Sequence, residues 1–168
     1  MSYFITYDDY YEKALGNIIN LIIKQDKLKM SQMKIKNLIF KEGGNGVYLF
    51  FDNDDCIYIG SSCGRAFVDR IPAHFDTRKE IGRWGFRGVC TGIVKENNCT
   101  RFEAASKLLN CGLYLINFKN NEYKQTYCSK LEKLLIYLLQ PKYNIYYKKN
   151  IYETNPNESL VNNLKKIR

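Results

Sequence analysis

At 168 residues with a net charge of +9, the chain is long enough for one buried core and too short for two independent ones. Its 45% hydrophobic and 14% aromatic content excludes an intrinsically disordered chain, and no run approaches the ~18 apolar residues of a membrane span. The first residues lack the basic-then-apolar pattern of a signal peptide, so a soluble, intracellular, cytoplasmic protein with no membrane partner is expected.

In chain order, residues 7–24, YDDYYEKALGNIINLIIK, carry acids in the first turn and apolar residues at helical spacing, which predicts an amphipathic helix. It belongs to an N-terminal helical extension over 1–40 whose second half is polar and lysine-rich. EGGNG (42–46) reads as a loop before two apolar runs, GVYLFF (46–51) and CIYIG (56–60), joined by the acidic turn DNDD. These predict an antiparallel hairpin. Phe67, Ile71 and Phe75 recur every four residues, so 65–76 is expected to be helical with an irregularity at Pro72. IGRWGFRGVCTG (81–92) is glycine-rich and reads as a loop or loose strand. A helix near 101–110 is capped by Thr100 or Asn98, LYLINF (113–118) is a third strand, and SKLEKLLIYLL (129–139) is an apolar helix stopped by Pro141. A polar tail covers 148–168. The order helix, hairpin, helix, insertion, strand, helix predicts one α+β domain over 1–168, with a small three-stranded antiparallel sheet flanked by helices.

Six cysteines contain no CxxC pair and accompany a single histidine, so neither a zinc site nor a disulfide framework is indicated; buried reduced thiols are expected. Six of the seven arginines, Arg65, Arg70, Arg78, Arg83, Arg87 and Arg101, fall between positions 65 and 101. A guanidinium holds phosphates and guanine edges two bonds at a time, so this stretch points to a nucleic-acid partner, or to a solvated basic face.

Several residues have two readings. Tyr48 and Tyr58 sit on neighbouring strands where both hydroxyls can share one face of the sheet, or simply pack. Arg70 and His74 are four apart, on one side of any helical geometry. Glu132 is a lone acid in an apolar helix, or the fourth residue of the capping box SKLE. Asn144 lies just past the proline stop, a normal place for a turn residue.

Together, GVY, then YIG ten residues on, then Arg70 with His74, Glu132 on a late helix and LEKLLIYLLQPKYN resemble the GIY-YIG nuclease superfamily. The resemblance covers residues 46 to 144. It implies a catalytic core over 46–147 with an insertion near 78–111, longer than the family's minimal module. It also implies phosphodiester hydrolysis by Tyr48, Tyr58, Arg70, His74, Glu132 and Asn144. Glu132 would be the ligand of one Mg2+, with Mn2+ able to substitute; one carboxylate supplies too few ligands for two ions. Arg70 can donate two bonds to the scissile phosphate. A tyrosine with its pKa near 10 is an awkward base, since ionising it at neutral pH costs about 4 kcal/mol. The resemblance implies that Tyr48 passes a water's proton onward, Tyr58 bonds the phosphate or that water, His74 relays the proton or binds phosphate, and Asn144 holds the architecture.

Among family members the chain is most like the small stand-alone restriction endonucleases, since it shows neither an attached DNA-binding module nor a cysteine/histidine zinc module. On that reading Arg65, Arg78, Arg83, Trp84, Arg87 and Arg101 contact DNA, with GRWGF entering a groove or forming a tight turn on a buried Trp. DNA is the expected partner, a second copy of the chain a candidate one, and no nucleotide cofactor is expected. A homing, nicking or repair nuclease and an inactive DNA-binding protein stay open.

Overall fold

The computed structural model describes residues 4–6, 20, 22, 24–77, 88–118 and 124–144. Within them the chain forms β1 (Phe4–Thr6), β2 (Leu28–Lys29), β3 (Gly46–Asp52), β4 (Asp55–Ser61), α1 (Phe67–Arg70), α2 (Val89–Asn97), α3 (Arg101–Leu108), β5 (Gly112–Asn117) and α4 (Lys124–Leu139). The fold is α+β, as the element order predicts.

The sheet is larger than three strands. Its centre is the expected antiparallel trio, β5–β3–β4, with Tyr48 opposite Leu115 on one side and Gly60 on the other. On the free edge of β5, β1 pairs in parallel, from Phe4 opposite Leu115 to Thr6 opposite Asn117, and β2 pairs antiparallel through Leu28 and Leu113. An open edge presents unpaired N–H and C=O groups that favour such additions, and segments of three and two residues are too short to carry a period-2 signal.

Both faces of the sheet are covered, which is why its strands read as nearly unbroken apolar runs. Val47, Leu49, Phe51, Ile59, Tyr114 and Ile116 pack on Leu131, Leu135 and Ile136 of α4. Tyr48, Phe50, Tyr58, Leu113 and Leu115 face Phe67 and Ile71 around α1, Val89 and Ile93 of α2, and Ala104 and Leu108 of α3.

The segment expected to be helical over 65–76 is divided at Pro72: α1 ends at Arg70, and Pro72–Phe75 is a 3-10 turn with proline at its start. Proline removes the N–H that would continue the helix but fits a first turn. Three expectations need correction. Residues 89–92 of the glycine-rich stretch are the first turn of α2, whose partners Val89 and Ile93 are buried against the sheet; packing overrides the glycine signal. The last helix begins at Lys124, not near 129. Cys63 and Cys128 form a disulfide, joining the loop after β4 to α4 across 65 residues of sequence, whereas Cys56, Cys90, Cys99 and Cys111 are free thiols. That pairing is set by tertiary approach and has no spacing signature.

Thr100 is the N-cap of α3, accepting from the Glu103 backbone N–H while Glu103 reaches back to Thr100. Asn98 instead ends α2 in the left-handed conformation, φ 47°. Of the helix expected over 7–24, only Asn20, Ile22 and Lys24 are described, all helical; the tail lies outside the described residues. Among the described residues, no helix is long and apolar enough to cross a membrane.

Candidate active site

The first two strands decide which residues meet. Around the two-residue turn Asn53–Asp54, Asp52 pairs with Asp55 and Phe51 with Cys56. Continued unbroken, that register would set Tyr58 opposite Leu49, on the face away from Tyr48. Instead Ile57 is bulged out, Phe50 pairs with Tyr58, and Tyr48 pairs with Gly60. One extra residue flips every side chain beyond it, so the bulge puts both tyrosines on one face. Their ring centroids are 6.3 Å apart. The acidic residues Asp52, Asp54 and Asp55 are exposed at the opposite end of the hairpin.

Gly60 completes the arrangement by what it lacks. A Cβ there would fall 2.4 Å from the Tyr48 hydroxyl and Cζ, so the Tyr48 ring occupies the space above Gly60. Tyr48 is wholly buried, and Tyr58 nearly so.

From the other layer, His74 on the 3-10 turn brings Nε2 to 2.8 Å from the Tyr48 hydroxyl, and its ring meets Tyr48, Phe50 and Tyr58 edge-on. Burial, reinforced by the Arg70 charge, pushes His74 down to about 3, so the imidazole is neutral. Burial pushes Tyr48 up to about 12 against the opposing pull of Arg70. Arg70, at the end of α1, stands close enough for its charge to pull against the rise at Tyr48, while its Nε is buried without a hydrogen-bond partner. A planar cation with an orphaned donor beside two tyrosines is suited to an anionic oxygen.

Glu132 approaches from α4. It lies in the third turn of that helix, which rules out the capping-box reading; it is 5% exposed, and its charge acts on both Tyr48 and Arg70. Its Oε2 accepts a 2.8 Å hydrogen bond from the Ser61 hydroxyl. Asn144 serves the backbone: Oδ1 accepts from Ile59 N–H at 2.8 Å and Nδ2 donates to Ile59 C=O at 2.7 Å. With the Tyr143 N–H on Ile57 C=O, the segment after α4 closes the outer edge of β4.

Of the proposed DNA contacts, Arg65 is exposed and Arg101 half-buried, and neither joins this cluster; Arg78, Arg83, Trp84 and Arg87 lie outside the described residues. Two contributors carried no usable sequence signal. Ser61 is one. Gly88 is the other: a Cβ there would press on Nδ1 of His74 at 2.9 Å, so the start of α2 packs directly on the histidine.

The donor set bears on a metal. Among the described residues no group of three or more His, Cys, Asp and Glu side chains stands together. Glu132 is a single hard oxygen ligand beside the cluster, which fits one cation completed by water and phosphate oxygens and does not fit a pair of cations. Comparison of the chain with protein-family models, with curated proteins and with solved structures finds no match to any of them.

Proposed function

We propose that the chain is a Mg2+-dependent DNA endonuclease of the GIY-YIG superfamily, acting as a sequence-specific restriction enzyme. One observation carries the reading. Tyr48, Tyr58, Arg70 and His74 come from separate strands and turns, and their polar ends converge around the Tyr48 hydroxyl within the field of Glu132.

In this reading the scissile phosphate sits against Arg70, whose unpartnered Nε gains an acceptor. The attacking water lies on Tyr48, which accepts its proton and passes its own along the 2.8 Å bond to His74 Nε2, leaving an imidazolium. In the free protein both shifts resist that charge separation. A bound phosphate offsets the Arg70 charge that depresses His74, so substrate itself makes His74 a better acceptor. Glu132 would hold the divalent ion, which when bound supplies charge stabilisation at the phosphate. Tyr58 hydrogen-bonds the phosphate or the water, and Asn144 keeps β4 in place.

The test is plasmid DNA with purified chain and Mg2+. Wild type cuts at discrete sites, and Glu132→Ala abolishes cutting while keeping salt-dependent DNA binding. Cutting by that variant overturns the metal assignment. Nicks or junction cuts in place of a discrete ladder favour the homing or repair role, and wild type that binds but never cuts favours a binding protein.

A further inference from the structure

We infer that Ser61 is a positioning residue for Glu132, holding the carboxylate for the divalent ion; this rests on the nuclease reading above. Ser61 is the last residue of β4 and pairs with Val47, so its side chain lies on the α4 face of the sheet, opposite to the face of Tyr48 and Tyr58. Glu132 rises from α4 on the same side. Its charge acts across to Tyr48 and Arg70. The Ser61 hydroxyl meets the carboxylate, donating to Oε2 at 2.8 Å.

A glutamate head hangs on three rotatable bonds, and a carboxylate that is to bind a cation loses affinity if it wanders. A hydroxyl bonded to one oxygen fixes the plane and leaves the group ionised, which is how outer-shell partners act on metal ligands. The loop directly after β4 is tied to α4 as well. Cys128 stands one helical turn before Glu132, Cys63 stands two residues after Ser61, and they are bonded to each other. The hydrogen bond therefore joins two points whose separation the covalent link already restricts.

The experiment measures Mn2+ uptake by the full chain, from the electron paramagnetic signal of free Mn2+, beside plasmid cleavage with Mg2+ and urea unfolding. Ser61→Ala is expected to bind Mn2+ and to cleave roughly 10–100-fold less well. Its DNA binding in chelator should be unchanged. Ser61→Thr and Ser61→Val match in volume and differ in the hydroxyl, so packing cancels between them: Thr should retain Mn2+ binding and Val should lose it. Equal Mn2+ affinity in the Thr and Val variants overturns the proposal, as does an unimpaired Ser61→Ala in an active enzyme. A wild-type chain that takes up no Mn2+ and cuts nothing overturns the nuclease reading itself, and the role of Ser61 with it.

Discussion

The Tyr48 hydroxyl and Nε2 of His74 are hydrogen-bonded at 2.8 Å, in a setting where both side chains are buried and both are neutral at pH 7. His74 is the only histidine of the chain, so its titration is separable from all others.

Tyr48→Phe removes the hydroxyl and leaves a buried ring nitrogen without this partner. The unfolding free energy should fall by about 1–3 kcal/mol in urea titration. Cleavage should fall by at least about 100-fold, the scale of a lost proton-transfer partner. A phenylalanine variant that cuts at the wild-type rate removes Tyr48 from the chemistry.

Acid should destabilise the protein early. His74 titrates near 6.5 when unfolded and near 3 when folded, so between those values the unfolded chain binds the extra proton. Stability is therefore full above pH 6.5 and falls as pH drops toward 3, by up to about 1.4 kcal/mol per pH unit from this group. Between pH 6.5 and 5 few carboxylates titrate, which makes it the window to measure. His74→Gln should flatten the slope there; an unchanged slope would mean that His74 is not held neutral.

Gly60→Ala and Gly64→Ala form a matched pair. At Gly60 the new methyl collides with the Tyr48 ring, and at Gly64 it meets nothing within 4 Å. The first should cost about 1–3 kcal/mol by overpacking and disturb the Tyr48–His74 bond. The second should leave the urea midpoint unchanged. Equal effects would show that the Tyr48 ring does not fill the space above Gly60.

The Cys63–Cys128 link encloses 65 residues of sequence separation, and constraint on the unfolded chain gives it an upper value of about 4 kcal/mol. Reductant, or Cys63→Ser with Cys128→Ser, should lower the thermal midpoint. Free-thiol titration of the unfolded, unreduced chain should find four groups, matching Cys56, Cys90, Cys99 and Cys111. Six would show that the bond is absent.

Much of this was legible in the residue order. GVYLFF and CIYIG are rich in β-branched and aromatic residues, which favours strands, and LYLINF becomes β5 within a residue of its expected bounds. Thr100, one of the two residues expected to cap the helix near 101–110, is the N-cap of α3, because a cap is a local contact. Tyr48, Tyr58, Arg70, His74, Glu132 and Asn144 could be named as a set before their positions were known. The face on which the tyrosines stand was another matter. It depends on Ile57 leaving the ladder, which no glycine or turn residue marks. The added strands β1 and β2, the Ser61 bond to Glu132, the close approach of Gly88 to His74 and the Cys63–Cys128 link also belong to the tertiary structure. Each joins segments whose approach is set by burying both faces of one sheet. Local propensity and spacing reach only a few residues along the chain, so the sequence names the side chains and the packed sheet decides which of them touch.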